Sequence, residues 1–261
     1  MFRHATSCLR KLPDVLIIGT EKGGTDTLYA QLAQHPQFTA PLNSSLHYFE
    51  ENWHKNALWY RAHFPLRFQE KNQITGEKST FYIYDPRAAE RIKKLMPDVK
   101  IIALLRDPCD RAISHYFHYK NRGFEDLDIE EAFAKEEERI TPLLDNMSET
   151  SLYRPGHPLK VYSYKSRGYY AQQIEQYFKH FDKEQIYIAK SEDYFADPLT
   201  TLKEIFAFLN IDPNFRPDDL SPRNTGRKRE IPDVLYNNLK EHFKPHNAEL
   251  SKLLGKNFTW D

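Results

Sequence analysis

The sequence has little cysteine and no excess of charge of either sign. Only Cys8 and Cys109 occur among 261 residues, which excludes a disulfide framework and a Cys-x-x-Cys metal site. So few cysteines favour a reducing, cytoplasmic location. Lysine and arginine together number 37, as do aspartate and glutamate, so no global basic field favours nucleic acid as a partner. We therefore expect any anion site to be local.

Long hydrophobic runs are also absent. No stretch approaches the roughly 20 apolar residues of a membrane-spanning helix, so we expect no stable membrane insertion. Residues 1–13 carry basic side chains but no apolar segment of signal-peptide length, and we expect them to form a flexible N-terminus. A membrane anchor outside these 261 residues stays an alternative. The 11 histidines show no metal-ligand spacing, so we expect no metal.

Aromatic residues, in contrast, are abundant. They make up 14% of the chain, with 16 Tyr and 17 Phe, which suits a packed core and excludes a disordered composition. Although the length alone also permits two domains, we predict a single domain over residues 1–261.

A glycine loop that contains a lysine follows the first predicted strand. Residues 15–18 form a short apolar run that predicts a buried strand, and leucines four positions apart predict a helix after the loop. Gly23 and Gly24 allow the backbone to approach a bulky ligand, and the N-terminus of the helix favours an anion. Lys22 adds a full positive charge, so this segment predicts a local anion site.

The alternation of strand and helix recurs along the chain. Residues 86–97 predict a helix bounded by prolines, and residues 99–105 and 185–190 predict two further buried strands. Such alternation predicts an α/β fold with a central, mostly parallel sheet flanked by helices. Ligands bind at the carboxyl ends of strands in such sheets, and Arg106 stands at one of these ends.

Three stretches show less periodicity. We interpret residues 44–65 and 74–86 as loops and short helices, because aromatic and polar residues are mixed there without a regular period. Residues 123–165 combine an acidic helix with turn residues, and we predict an irregular lid that helps to bind an acceptor.

The order Lys-Gly-Gly-Thr at residues 22–25 differs from a Walker loop, which requires Gly-Lys before the hydroxyl that binds magnesium. This order resembles the 5′-phosphosulfate loop of sulfotransferases that use 3′-phosphoadenosine 5′-phosphosulfate (PAPS). The resemblance covers about residues 14–260, is weakest over residues 123–165, and is strongest to the heparan-sulfate and bacterial branches. It implies a P-loop-like sulfotransferase fold, PAPS as co-substrate and no required metal.

The resemblance also implies roles for particular residues. In "LLRDPCDRAISHY", Arg106 and Ser114 match the pair that holds the 3′-phosphate, and in "GEKS", Lys78 matches a lysine that faces the transferring sulfuryl group. "RNTGRKR" resembles a late loop over the 3′-phosphate, which implies Gly226 and Arg227 as donor contacts. The remaining implied donor contacts, at the 5′ end, are Lys22, Gly23, Gly24, Thr25, Asp26 and Thr27.

The expected catalytic glutamate is missing. Residues 44–50, "SSLHYFE", resemble the family element Lys-Glu-x-His-[Phe/Tyr]-Phe-Asp, but Ser45 stands at the glutamate position. His47 and Glu50 match the histidine and the closing carboxylate. Because a general base typically contributes about 10²–10⁴-fold to a rate, we name Glu50 and His47 as the candidate bases, with Lys22 and Lys78 as the other catalytic residues.

These features predict transfer of a sulfuryl group from PAPS to a hydroxyl of a carbohydrate, lipid or polyketide-like acceptor. A non-catalytic module that binds PAPS is the alternative suggested by Ser45. A P-loop kinase is a further alternative, weakened by the position of Lys22 in its loop.

We predict that Arg106→Ala impairs the distinction between adenosine 3′,5′-bisphosphate and AMP more than Lys22→Ala does. The guanidinium fork suits a phosphate, and only the bisphosphate carries the 3′ group. Calorimetric titration of both nucleotides into each variant measures the two affinities. An unchanged affinity ratio in Arg106→Ala would contradict the 3′-phosphate assignment.

Overall fold

The computed structural model describes residues 2–68, 73–147, 152, 156–224 and 231–260. One parallel sheet has the strand order β2-β1-β3-β4, which confirms the predicted α/β class. Its strands are β1 (Val15–Gly19), β2 (Gly76–Lys78), β3 (Lys100–Leu105) and β4 (Ile186–Lys190). Because β1 pairs with both β2 and β3, the loops that follow these three strands lie at one edge of the sheet.

Helices cover both faces of this sheet. Their bounds are α1 (Phe2–Ala5), α2 (Thr25–Leu32), α3 (Ala57–Arg61), α4 (Ala88–Leu95), α5 (Pro108–Lys120), α6 (Ile129–Ala134), α7 (Glu136–Asp145), α8 (Pro158–Val161), α9 (Tyr170–Phe178), α10 (Ser191–Ala196), α11 (Pro198–Leu209) and α12 (Asp233–Leu254). Short 3₁₀ turns span Ser7–Leu9, Ser166–Gly168 and Lys183–Gln185. No helix in the described part of the chain is both long and apolar enough to cross a membrane.

Alternate residues of β1 enter two separate cores. Leu16 and Ile18 pack in the cluster that contains residues of α9 and α12, whereas Val15 and Ile17 pack in the cluster that contains residues of α2 and α11. Every residue of β1 is buried, as expected for a parallel strand covered on both faces. This burial explains why the strand is a continuous apolar run in the sequence.

The two longest helices, α5 and α12, each have a well-defined terminus. Asp107 caps α5 by accepting a hydrogen bond from the Cys109 N–H at 2.7 Å, and Pro108 occupies the first turn. Gly255 ends α12 with a φ of 64°, a left-handed conformation that glycine adopts readily.

One prediction about local structure is wrong. Residues 76–78, which we interpreted as loop, form β2. A strand of three residues is too short to show a period in the sequence. Residues 2–13 contact the chain just after α3: Arg10 is buried and donates to the Phe64 carbonyl at 2.8 Å, and Arg3 donates to the Ala62 carbonyl at 2.8 Å. The flexibility expected for residues 1–13 stays a prediction.

The segment 123–165 is more regular than expected. Its described residues include α6, α7 and α8, where we predicted one helix and irregular chain. Asp128 caps α6 by accepting from the Glu131 N–H at 2.9 Å, which gives this acidic stretch a defined start. The role of this segment as a lid stays a prediction.

A carboxylate of β2 lies in the aromatic part of the core. Glu77 is 1% exposed and accepts hydrogen bonds from Tyr60 at 2.7 Å, Tyr82 at 2.9 Å and the Leu46 N–H at 2.9 Å. Burial raises the pKa of Glu77 to about 7, although these three donors oppose the shift. The network ties the chain around Leu46 to the sheet.

We predict that Glu77 makes folding pH-dependent. Between pH 4.5 and about 7 the unfolded carboxyl loses its proton while the folded one keeps it, so the free energy of unfolding falls as pH rises. The full shift from 4.5 to about 7 corresponds to about 3 kcal/mol. Urea unfolding across this range should show a larger fall in the free energy of unfolding in wild type and in Glu90→Gln, which changes an exposed acid, than in Glu77→Gln. A parallel fall in all three proteins would contradict the prediction.

Candidate active site

The loop after β1 is held from two sides. Thr20 donates to the Leu104 carbonyl of β3 from its N–H at 2.8 Å and from its hydroxyl at 2.9 Å. On the other side, the Ser191 hydroxyl of α10 donates to the Gly23 carbonyl at 2.7 Å. These contacts fix the backbone of the lysine-glycine loop against the sheet.

Both glycines are required by this path of the backbone. A Cβ at Gly23 would lie 2.8 Å from the Leu104 carbonyl oxygen, and one at Gly24 would lie 2.6 Å from the Phe195 ring. Gly24 also has a φ of 89° as it caps α2, and Lys22 has a φ of 69°. The loop therefore leaves the start of α2 free of side-chain atoms from these two positions.

The N-terminus of α2 offers backbone donors and positive potential. Its first N–H groups have no acceptors within the helix, as at any helix start, and they belong to the predicted residues Thr25, Asp26 and Thr27. Lys22 adjoins them, and burial lowers the pKa of its ammonium, with nearby Arg106 acting in the same direction and Glu21 opposing. An anion here would reduce the repulsion between Lys22 and Arg106.

Arg106 lies beside this loop, as its strand-end position predicts. Its Nη1 donates to the Lys22 carbonyl at 3.1 Å, and its Nη2 lies 3.6 Å from the Asp110 carboxylate. Ser114 is half-buried on α5, the helix that follows Arg106. The structure thus joins Arg106 to the loop by a direct contact, while the pairing of Arg106 with Ser114 stays a prediction.

The predicted late-loop contacts Gly226 and Arg227 lie outside the described residues. The chain just before them reaches α2, since the Asn224 side chain donates to Asp26 at 2.8 Å and the Arg223 N–H donates to the Thr27 hydroxyl at 2.9 Å.

Lys78 joins the site from the end of β2. Its Nζ lies 2.5 Å from an Asp26 carboxylate oxygen and 3.1 Å from the Ser45 hydroxyl. Burial of Asp26 acts to raise its pKa, but Lys78 and Asn224 outweigh burial and hold the pKa below its ordinary value. Lys78 is therefore adjacent to both the anion site and the serine that replaces the expected glutamate.

His47 and Glu50 are brought together by a tight turn. His47 has a φ of 51°, and its carbonyl accepts from the N–H groups of Glu51 and Asn52, each at 3.0 Å. The Glu50 carboxylate binds His47 Nδ1 and accepts from the Ser79 hydroxyl at 3.1 Å. Ser79 follows Lys78 in the chain, so this cluster adjoins the lysine.

The exposure of the two candidate bases differs. The Glu50 side chain is 0% exposed, whereas the His47 side chain is 37% exposed. Burial alone would raise the pKa of Glu50, but His47 and Lys160 outweigh burial and keep the pKa low. Glu50 is thus a buried carboxylate in contact with the imidazole, and His47 is the more exposed of the two candidate bases.

The structure adds two cationic side chains, Arg167 and Lys160, that the sequence did not indicate as site residues. Arg167 forms an ion pair with Glu21 and lies 4.8 Å from the Phe81 ring centroid. Lys160 forms an ion pair with Glu51, and its Nζ lies 5.6 Å from the same ring. Burial opposes ionisation of Glu21, yet Arg167 holds its pKa at about 2. No local pattern marks these cations, because they join the site only through segment 123–165 and the 3₁₀ turn after it.

The described residues also include one group with metal-ligand chemistry. Donor atoms of His47, Glu50 and Glu51 lie within 4.8 Å of one another. The Lys160 ammonium pairs with Glu51 and lies 4.0 Å from Glu50, so a positive charge already neutralises these acids. The expectation that no metal is required stays a prediction.

Comparison with known proteins finds sulfotransferases both by sequence and by structure. The family model for the sulfotransferase domain matches residues 12–249. A sulfotransferase from Alicyclobacillus acidocaldarius, solved as a crystal structure, is 28% identical, with 94% of this chain and 97% of that chain covered and a TM-score of 0.78. A sulfotransferase domain from the curacin biosynthetic pathway is 14% identical, with 96% and 100% covered and a TM-score of 0.51, and shows likeness of fold alone.

Curated relatives are longer proteins. The membrane-associated sulfotransferase kil1 of Dictyostelium discoideum is 25% identical over 95% of this chain and 66% of its own length. The heparan sulfate glucosamine 3-O-sulfotransferase 3B1 of Mus musculus is 27% identical over 97% of this chain and 66% of its own length. A mouse bifunctional heparan sulfate N-deacetylase/N-sulfotransferase 4 is 29% identical over 93% of this chain and 30% of its own length. The chain therefore spans less than two thirds of these relatives.

We predict that Asp26→Asn tightens binding of adenosine 3′,5′-bisphosphate by about tenfold, equivalent to about 1.4 kcal/mol. The substitution removes a negative charge from the anion site and releases Lys78, while the amide can keep the contact with Asn224. Calorimetry measures the dissociation constants. Glu175→Gln, which neutralises an exposed acid on α9, is the matched control. Weaker binding in Asp26→Asn alone would show that the carboxylate supports the site.

Proposed function

The chain belongs to the sulfotransferase family, and we propose that it transfers a sulfuryl group from PAPS to a hydroxyl group of an acceptor. The observation that carries this proposal is the meeting of Lys22, Lys78 and Arg106 around the start of α2. The three cations come from the ends of three adjacent parallel strands.

The donor site fits a nucleotide that is anionic at both ends. Glycines at positions 23 and 24 let the loop pack closely against the Leu104 carbonyl and the Phe195 ring, and the first N–H groups of α2 would be the donors to a phosphate. Lys22 and Lys78 would neutralise the charge that develops on the transferring group and the departing phosphate. Loss of one preorganised donor of this kind typically costs about 2.7–4 kcal/mol in the transition state. Arg106 would bind the 3′-phosphate.

The transfer requires a proton acceptor. The acceptor oxygen forms a bond to sulfur while the bond between sulfur and the bridging phosphate oxygen breaks, and the hydroxyl proton must leave. Because Glu50 holds His47 Nδ1, the second ring nitrogen, Nε2, is the free base. His47 would therefore take the proton, and Glu50 would orient the ring and stabilise its charged form. This arrangement replaces the glutamate that is missing at Ser45.

The proposed acceptor is any hydroxyl-bearing molecule, and the proposed location is the cytoplasm. The names of both mouse relatives specify heparan sulfate, one with O-sulfation and the other with N-sulfation. From the first we carry over only a hydroxyl-bearing acceptor. The two free thiols, Cys8 and Cys109, support a reducing, cytoplasmic setting.

Binding and turnover together separate the proposed enzyme from the two alternatives. Calorimetry with adenosine 3′,5′-bisphosphate and with ATP plus magnesium should show preference for the bisphosphate, and a preference for ATP would overturn the proposal. Radiolabelled PAPS with a panel of carbohydrate, lipid and phenolic alcohols should yield a sulfated product. Tight nucleotide binding without any product would favour the non-catalytic module.

We predict that His47→Ala lowers turnover by about 10²–10⁴-fold and leaves the affinity for adenosine 3′,5′-bisphosphate unchanged, because the imidazole acts on the acceptor. Glu50→Gln should lower turnover by less, since an amide can still accept from His47 Nδ1 but cannot stabilise the charged ring. Steady-state kinetics on an acceptor from the panel, with the exposed His54→Ala as control, measures both effects. Full activity of His47→Ala would exclude it as the base.

A further inference from the structure

A cavity of about 470 Å³ lies near the candidate active site, and none of the catalytic or donor-binding residues named above lines it. It is bounded by the chain after β2, by α7, by the 3₁₀ turn Ser166–Gly168 with the start of α9, and by α12. This volume lies within the range of about 300–1,000 Å³ that is typical of small-molecule sites.

Gln173, a residue of the cavity lining, carries a buried hydrogen-bond acceptor without a partner. The Gln173 side chain is buried, with the residue 8% exposed, and its Nε2 donates to the Ser166 carbonyl at 3.2 Å. Its Oε1 has no hydrogen-bond partner among the described residues. A buried amide oxygen without a partner costs free energy, so a ligand that donates an N–H or O–H there would be favoured.

Part of the cavity lining is apolar. Ile83, Pro86, Ile140 and Leu144 belong to it, and Leu144 is 37% exposed. A ligand with an apolar body would cover this leucine and bury these side chains.

The charged residues of the lining do not favour an anion. Glu136 accepts from the backbone N–H groups of Lys165 at 2.6 Å and Ser166 at 2.8 Å, and burial raises its pKa. Burial lowers the pKa of His242, with Lys165 acting in the same direction, so this ring stays neutral at neutral pH. The lining thus holds two glutamates, Glu136 and Glu137, against the single ammonium of Lys165. A carboxylate- or sulfate-rich chain would find no excess of positive charge here.

Two side chains connect the cavity to the chain beside the donor loop. Tyr84, which lines the cavity, donates to or accepts from the Ser166 hydroxyl at 3.1 Å. The Arg167 guanidinium lies 5.4 Å from the Tyr84 ring centroid and pairs with Glu21, the neighbour of Lys22 in the chain. A molecule that contacts Tyr84 in the cavity would therefore be linked to the donor loop through Arg167 and Glu21.

We propose that this cavity binds the apolar body of an uncharged, amphipathic alcohol, which donates a hydrogen bond to Gln173 Oε1, and that this alcohol is the acceptor. The second part of this inference rests on the proposed sulfuryl transfer. Among the acceptor classes considered, this inference favours a lipid- or polyketide-like alcohol over an acidic polysaccharide.

The test uses octyl β-glucoside, which has an apolar chain and an uncharged hydroxyl-bearing head, and octanoate, which has an anionic head. Binding of each to the full chain is measured by saturation-transfer NMR below the micellar range, in the absence of donor. Thr141→Trp places a bulky ring at an exposed position of the cavity lining, and Glu138→Trp places the same ring on α7 outside the lining. Gln173→Leu removes the acceptor. Binding of adenosine 3′,5′-bisphosphate reports that each variant is folded.

We expect wild type and Glu138→Trp to bind octyl β-glucoside equally, and Thr141→Trp and Gln173→Leu to bind it at least about tenfold more weakly. Octanoate should bind wild type at least about tenfold more weakly than octyl β-glucoside does. Absence of octyl β-glucoside binding, equal losses in both tryptophan variants, or equal binding of octanoate would overturn the cavity assignment.

A separate measurement with radiolabelled PAPS tests the acceptor role. Sulfation of octyl β-glucoside by wild type, with a raised KM in Thr141→Trp, would support that role. Sulfation of other panel alcohols but not of this probe would overturn the acceptor role alone. Binding of the probe without transfer to any alcohol would instead contradict the proposed function and leave the cavity as a ligand site.

Discussion

The pairing of β1 with both β2 and β3 is the constraint on which the site depends. Parallel strands that share a register end at the same edge, so the loops after residues 19, 78 and 105 converge there. The Thr20 hydrogen bonds to the Leu104 carbonyl then fix the first loop relative to β3. Lys22, Lys78 and Arg106 are thereby held near one helix N-terminus although they are far apart in the chain.

The charges at this edge are largely balanced within the protein. Lys78 pairs with Asp26, Arg167 with Glu21, and Lys160 with Glu51. Pairing lowers the cost of holding partly buried cations together when no anion is bound. In the proposed function a donor would compete with Asp26 for Lys78, so the affinity for the nucleotide would depend on differences between ion pairs and not on the number of cations alone.

Two buried glutamates on neighbouring segments show how the surroundings decide the behaviour of one side-chain type. Glu77 is surrounded by neutral donors, and burial raises its pKa to about 7. Glu50 is equally buried, but His47 and Lys160 lower its pKa. The first therefore keeps its proton to higher pH inside the core, whereas the second stays charged and can orient an imidazole. Their sequence contexts do not distinguish them, because burial depends on tertiary packing and Lys160 comes from another segment.

The sequence by itself determined the α/β class, three of the four strands, the lysine-glycine loop and the placement of Arg106 at a strand end. Apolar periodicity and glycine positions are local properties, and they fix strand, loop and helix within about twenty residues. Only the tertiary structure decided that residues 76–78 join the sheet, that Asp26 binds Lys78, and that Glu50 is buried behind His47. Those features depend on which segments pack together, since burial and ion pairing are set by neighbours that are distant in the chain.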